Sequence, residues 1–369
     1  MEPLNPADPA LRQHFADLAA RSLHPQPDIR MDATRQLRQY MDQVDRQSGL
    51  VVLCLQLVTD QNLSPEVRSS LAVFLKNTIK ASWDGSHAEH ELLERDKAVL
   101  RENLFGVSLL CPPSVKRQLA EAIKYVADVD FPQRWPQIID VIAQSFSADV
   151  AQLESVLSTA HSVFQRYRRQ EQLTEQTRDE LLTINKTICN PLLASMEFLN
   201  GVIVSNKSPV ESREACKALT LACDVFYDLI CLDIGDEYTQ NLPRFMTVFL
   251  SCLQIRDPNL LGSESLGPGP LVELQSSVVN TVILFLQSYD EDFEVYSKEF
   301  LRVLWAVVAD PNSAGEFLDD LIISIIDLLS AAYRGATRVH LQDPELLRQM
   351  CHQVVIPNLT LRQCWIGWI

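Results

Sequence analysis

Apolar residues recur along this chain at intervals of three and four rather than two, the spacing that lines one face of an α-helix. Behind Ser64-Pro65-Glu66 the positions Leu71, Phe74, Leu75, Thr78 and Ile79 form such a stripe. The three residues ahead of it supply a capping hydroxyl, a proline at the first helical position and an acid in the first turn. Ser208-Pro209-Val210-Glu211 repeats the device with Glu211 placed for a capping box, and its stripe is Ala215, Leu219, Ala222, Cys223 and Phe226. Asp343-Pro344-Glu345 opens a third, through Leu347, Met350 and Val354. The same periodicity predicts further helices near 10–23, 28–44, 49–61, 90–110, 114–127, 135–147, 149–168, 172–200, 238–255, 271–289, 294–309 and 315–333.

Short polar or proline-bearing joints, such as His24-Pro25-Gln26-Pro27-Asp28 and Asp130-Phe131-Pro132, separate these stretches. The helices pair naturally into hairpins whose first members start about 40 to 58 residues apart, near the period of HEAT-type repeats. Leu50–Val58 and Val278–Leu286 are β-prone by composition, but each lies inside a longer helical window without a hairpin turn. Arg256–Pro270, with three glycines and three prolines, reads as one irregular loop inside a repeat. The expected fold is all-α: a single α-α superhelix, or solenoid, of armadillo-like HEAT repeats whose inner helices line a concave face suited to wrapping a protein.

Composition narrows the partners. With 48 acidic against 32 basic side chains the net charge is −16, a surface that repels phosphate backbones and attracts basic proteins, so no nucleic acid is expected. No unbroken apolar run reaches the roughly 18–20 residues of a membrane span, so no membrane is expected either. Met1–Ala10 lacks the basic and apolar blocks of a secretory signal. Nine cysteines without a C-x-x-C pair fit reduced thiols in the cytosol or nucleus. Cys216, Cys223 and Cys231 recur on one helix face and are expected in the core rather than on zinc, because no histidine sits at ligand spacing.

Chemistry-bearing motifs are sparse. Neither a phosphate loop, a nucleophile elbow, His-Glu-x-x-His nor paired dinucleotide glycines occur, so an enzyme, a metal or a cofactor is not expected. His87 and His90 flank Glu89 in a polar joint that reads as solvated. Asp290-Glu291-Asp292 and Asp319-Asp320 read as lying at helix ends, where they complement N-terminal dipoles or stay solvated. Arg166-Tyr167-Arg168-Arg169 has the look of a nucleic-acid patch, but its place in a last helical turn gives those cations a structural role.

Several segments carry a family likeness. Phe74-Leu75-Lys76-Asn77-Thr78-Ile79-Lys80 with Trp83 resembles the "FKN-x-IK-x-x-W" helix of importin-β-type (karyopherin) transport receptors. Asp130-Phe131-Pro132-Gln133-Arg134-Trp135-Pro136 is similar to the "DFPxxWP" joint common across them. Thr159-Ala160-His161-Ser162-Val163-Phe164-Gln165-Arg166-Tyr167-Arg168 resembles the "TAHSLFKRYR" segment of the CAS-type exportin branch. Val225–Leu229, Tyr289–Phe293 and Val355–Asn358 follow in the order of that branch. The likeness covers nearly all of residues 8–362, with the importin-β N-terminal type region within about 28–110.

The resemblance implies a nuclear export receptor fragment, shuttling between nucleus and cytoplasm, that takes part in export of importin-α. Its implied partners are the Ran GTPase in its GTP form, importin-α as cargo, and nucleoporins. Residues 1–362 would be the N-terminal arm of about eight hairpins. The Ran-facing surface carries over onto the helices near 28–44, 64–83 and 114–127, with Lys76, Asn77 and Lys80 as candidate contacts. The bland alternatives are solvated cations at the two lysines and a bond from Asn77 to a neighbouring loop. A HEAT scaffold or adaptor of another class, with no Ran dependence, is the competing function.

Past Arg362 the family pattern gives way to Gln363-Cys364-Trp365-Ile366-Gly367-Trp368-Ile369, where an acidic continuation is expected. Two Trp and two Ile on an open solenoid end would expose apolar surface. The reading is a divergent tail from alternative splicing or a misread exon boundary, with a fold-back plug as its alternative.

Overall fold

A computed structural model describes residues 2–84, 90–170, 172–263, 265, 267–308 and 318–334, together with 348 and 352. The expected helix at 343–354 (apart from residues 348 and 352), His87, Glu89, Cys351, Cys364 and the tail 363–369 lie outside the described residues. Those described are mainly helical, with almost no strand, and by contact they divide into two compact units: residues 1–145 with 158–166, and 146–157 with 167–369.

In the first unit three hairpins follow one another: α1 (Pro9–Arg21) with α2 (Pro27–Met41), α3 (Leu50–Leu57) with α4 (Pro65–Ser82), and α5 (Glu94–Leu109) with α6 (Pro113–Asp130). Second helices stack on each other, α4 on α6, as do first helices, α3 on α5. The β-prone stretch at 50–58 is helix α3, as its window predicts. Its backbone enters through Gly49 at φ +100°, where an added Cβ would lie 2.4 Å from the Leu4 carbonyl. The Asp96 carboxylate caps this start by accepting from the Gly49 N–H at 2.9 Å, so α5 ties itself to α3.

Two of the family-like motifs meet in this unit. Trp83 is buried, with the Lys97 ammonium and the Arg101 guanidinium each 5.9 Å from its ring centre. Arg101 donates to the buried Asp130 carboxylate at 2.6 Å, and Arg134 lies 2.9 Å from the second oxygen. The tryptophan ending one motif and the Asp-Phe-Pro joint of the other thus hold a single ionic node. Arg166 completes the joint: it donates to the Ala127 and Phe131 carbonyls at 3.3 and 3.4 Å and lies over the Phe131 ring.

Helices α7 (Ile138–Ser145) and α8 (Val150–Phe164) follow, and a 3-10 turn, Gln165–Arg169, closes α8. In the second unit α9 (Glu175–Ser205) pairs with α10 (Pro209–Ile230), and α11 (Asp236–Gln254) with α13 (Pro270–Ser288). α14 (Asp290–Val308) then pairs with α15 (Asp319–Arg334). First helices stack in the order α9, α11, α14, and second helices in the order α10, α13, α15. Phe226 is the centre of the core, fully buried, with Tyr238, Phe245, Phe249 and Phe285 at ring distances of 5.4, 4.6, 5.2 and 6.3 Å. Cys216 and Cys223 lie in that core as expected, while Cys231 sits half-buried just past α10.

Two expectations need correcting. The segment 256–270 is not one irregular loop. It holds the four-residue helix α12 (Pro258–Leu261) and an antiparallel pair, β1 (Gly262–Ser263) against β2 (Gly267–Pro268). The Gln275 side chain closes the excursion at its base, donating to the Cys252 and Ile255 carbonyls at 3.1 and 3.2 Å. Second, α9 and α13 are long and apolar enough to cross a membrane by length and composition, which a search for unbroken apolar runs overlooks. Both are core helices of the second unit, packed against α10 and α11.

Candidate functional site

The three carried-over residues all sit on α4, whose start is built as its sequence predicts. The Ser64 hydroxyl accepts from the Val67 N–H at 3.3 Å, and the Glu66 carboxyl is held below its ordinary value by backbone N–H bonding and that same hydroxyl. Leu71, Ala72, Leu75, Thr78, Ile79 and Ser82 are buried. Phe74, expected in that stripe, is only half-buried, because the helix shows apolar surface on a second side as well.

That second side divides the candidates. Lys76 and Lys80 face α6, where both reach Glu121, at 3.6 and 2.9 Å, and Lys76 also donates to Gln118 at 2.7 Å. Lys80 above all holds the Glu121 carboxyl below its ordinary value. Ser69 with Ser114 at 2.8 Å and Tyr125 donating to Asp84 at 3.3 Å extend the same ladder of polar contacts between the two helices. The lysines are therefore anchored cations; Lys76 is only 16% exposed.

Asn77 faces the other way, exposed, and its side chain makes no hydrogen bond among the described residues. It lines a groove of about 820 Å³ between α2 and α4. Leu23 and Val73, 49% and 38% exposed, give this groove apolar walls; Phe74 and Met41 extend them, and Arg38 stands opposite Glu66. The structure brings the lysines together on Glu121 and places Asn77 apart from them, in the groove. Periodicity could not reveal Glu121, about 41 residues away, or the groove. The only local sign of the groove is Val73-Phe74, which widens the apolar face beyond one stripe.

Charge along the second helices is uneven. α2, α4 and α6 carry nine basic against six acidic residues, in a chain that is acidic as a whole. α10, α13 and α15 carry eight acidic against three basic. The arginine run after α8 does not present a free basic patch. Arg166 is spent on the α6 carbonyls, and Arg168 donates to the buried Asp228 and to Asp224. Among the described residues no cluster of three His, Cys, Asp or Glu side chains could hold a metal ion.

Comparison with known proteins gives this geometry its context. The Importin-beta N-terminal domain model matches residues 33–109, which include α4 and Lys76, Asn77 and Lys80. The chain is 28% identical to Exportin-2 of Drosophila melanogaster over 361 residues, 95% of this chain and 36% of that protein. It is 26% identical to the Importin-alpha re-exporter of Schizosaccharomyces pombe over 353 residues, 94% of this chain and 35% of that protein. It thus spans about a third of the length of these curated relatives. Among solved structures, the exportin Cse1 in its cargo-free, cytoplasmic state aligns over 96% of this chain and 38% of its own, with a TM-score of 0.85 at 24% identity. Yeast importin-β (Kap95p) aligns over 94% and 38%, with a TM-score of 0.61 at 17% identity. Both are HEAT-repeat solenoids, the fold class expected from the helical periodicity. The Cse1 family model matches residues 163–366, more than half of the sequence, and the chain belongs to that family of importin-β-type exportins.

Proposed function

We propose that residues 1–362 act as the N-terminal arm of a nuclear export receptor, one that binds Ran in its GTP form and takes part in returning importin-α to the cytoplasm. The observation that carries this reading is the basic row of α2, α4 and α6, with its adjoining groove, inside the region similar to the Importin-beta N-terminal domain. Relatives named Exportin-2 and Importin-alpha re-exporter support the export role and the cargo. A solved structure in which Kap95p binding induces the switch loops of RanGDP to adopt the GTP-bound conformation supports the choice of GTPase. The role is one of binding and transport, without catalysis, and the protein shuttles between nucleus and cytoplasm.

Physically, a net-positive row on an acidic protein selects an acidic partner surface and orients it, while the apolar groove supplies contact area that salt does not screen. Lys76 and Lys80 are held in place by Gln118 and Glu121, so little side-chain freedom is lost when a partner carboxylate adds to them. Asn77 offers its amide from inside the groove. Binding by this chain alone is expected to be weak, because a wrapped complex draws its affinity from linked contact areas. The test is immobilised Ran, loaded with GTP or with GDP, exposed to the purified chain at low salt. Preference for the GTP form is the expected result. Equal retention on both, or on neither, overturns the proposal in favour of a scaffold without Ran dependence.

A further inference from the structure

A second cavity, of about 390 Å³, opens in the second unit between α10 and α13, beside the 3-10 turn that follows α8. Arg168 forms part of its wall, and its charge is already neutralised twice over. Its Nε donates to Asp228, which is fully buried, and its Nη2 donates to the Asp224 carbonyl at 2.9 Å and to Asp224 Oδ1 at 3.3 Å. Its guanidinium lies 4.5 Å from the ring centre of Tyr227, which also lines the cavity. One cation against two carboxylates leaves the site net negative, so a phosphate or carboxylate ligand would meet repulsion. Cys231 lines the same wall and brings neither a nucleophile nor a metal ligand, since burial pushes its thiol up to about 11.

What remains unspent in the cavity is acceptor capacity. Asp224 Oδ1 receives Arg168 and, at 3.4 Å, the Ser277 hydroxyl, whereas Oδ2 has no hydrogen-bond partner among the described residues. On the opposite wall Asn280 is exposed, and its side-chain amide is likewise without a partner among them. Two acceptors on facing walls, one of them charged, suit a forked, cationic donor better than a point charge. The surroundings agree, since α10, α13 and α15 carry eight acidic residues against three basic. Lys217, seven residues before Asp224 on α10, is about 10 Å away by helical rise, at the edge of effective screening.

We propose that this cavity binds an arginine side chain presented by a peptide segment of a partner protein, with Asp224 as counter-ion and Asn280 as the second acceptor. The site is independent of Ran and of the α2–α4 groove. It gives the acidic half of the chain a defined point of recognition rather than a diffuse attraction.

The experiment is fluorescence anisotropy of the whole chain with a labelled Ser-Gly-Arg-Gly-Arg-Gly-Ser peptide at low salt. Two twins, in which lysine or the neutral isostere citrulline replaces each arginine, are measured alongside. The arginine peptide is expected to bind at least fivefold tighter than the lysine twin, and the citrulline twin not at all. Asp224→Asn is expected to weaken binding about tenfold. Because that variant also touches the Arg168 pairing, Asn280→Arg provides a second reading: it sets a cation on the exposed rim and should abolish binding without disturbing the core. Asp327→Asn, the same charge change on α15, should alter affinity less than twofold. Equal binding of the arginine and lysine peptides, an Asp327→Asn effect as large as that of Asp224→Asn, or an inert Asn280→Arg would each overturn the proposal.

Discussion

Replacing Arg101 by methionine probes the ionic node that joins the two family-like motifs of the first unit. Arg101 is 12% exposed and Asp130 is fully buried, so the substitution takes from a water-excluded carboxylate its 2.6 Å partner. Among the described residues only Arg134, half in solvent and 2.9 Å away, is left facing it. Stripping one partner from a buried ion pair costs about 3–5 kcal/mol, and the remaining Arg134 contact keeps the expected loss near the lower end. The exposed pair with Glu94 adds less than about 1 kcal/mol, and the contact with the Trp83 ring contributes a similar amount. A total of about 3–4 kcal/mol, in a unit of about 150 residues, corresponds to a fall in thermal midpoint of roughly 10 °C. Thermal melts followed by circular dichroism read this directly. The double variant Arg101→Met/Asp130→Asn should melt no lower than Arg101→Met alone, because the stranded charge goes with its partner. A fall of less than about 3 °C for the single variant, or simple additivity in the double, would refute the reasoning.

Changing Lys76 and Lys80 together to glutamine should weaken binding to GTP-loaded Ran about tenfold at low salt and markedly less at high salt, as screening predicts. The thermal midpoint should move by less than about 3 °C, since both lysines pair with the solvent-exposed Glu121 and pairs open to solvent contribute roughly 0–1 kcal/mol each; undiminished binding at low salt would remove both lysines from the site. Phe226→Ala opens a cavity amid four aromatic rings and should cost about 3–5 kcal/mol in denaturant unfolding, whereas a loss under 1 kcal/mol would mean that the cluster does not centre on Phe226. Burial pushes the Cys54 and Cys216 thiols up to about 12, so neither should react with a thiol reagent at pH 8 while the chain is folded. Their folded values lie above those of the unfolded chain, so stability should fall as pH rises above about 9, and an alkaline urea series showing a rise would contradict this.

Legibility in the sequence followed the range of the interactions. Helix starts were readable because their chemistry is local: Ser64 and Ser208 cap α4 and α10 within three residues, and the prolines beside them tolerate only the first turn. The stretch at 50–58 yielded to window length, since an isolated strand there has no partner to pair with. α12 and the β1–β2 pair stayed hidden because four residues, or two, are too few to show a period. The candidate site was legible only as positions on one helix. Periodicity put Lys76 and Lys80 on the surface but could not supply Glu121, whose place is set by the stacking of α4 on α6. Arg168 shows the same limit more sharply. Its last-turn position reads as dipole compensation, while in the fold its charge belongs to Asp224 and Asp228, about 56 and 60 residues on.

Gln275 has a consequence for how this family can vary. By holding the last carbonyls of α11 from the first turns of α13, it latches the two helices together beneath the 256–270 excursion instead of through it. Lengthening a loop whose ends are already latched costs little, about 0.6 kcal/mol for each doubling. Descendant lineages can therefore insert, exchange or elaborate sequence at the tip of this excursion while the neighbouring hairpins keep their register. The excursion is thus an evolutionary port, and a rational place to graft a tag or a foreign binding loop.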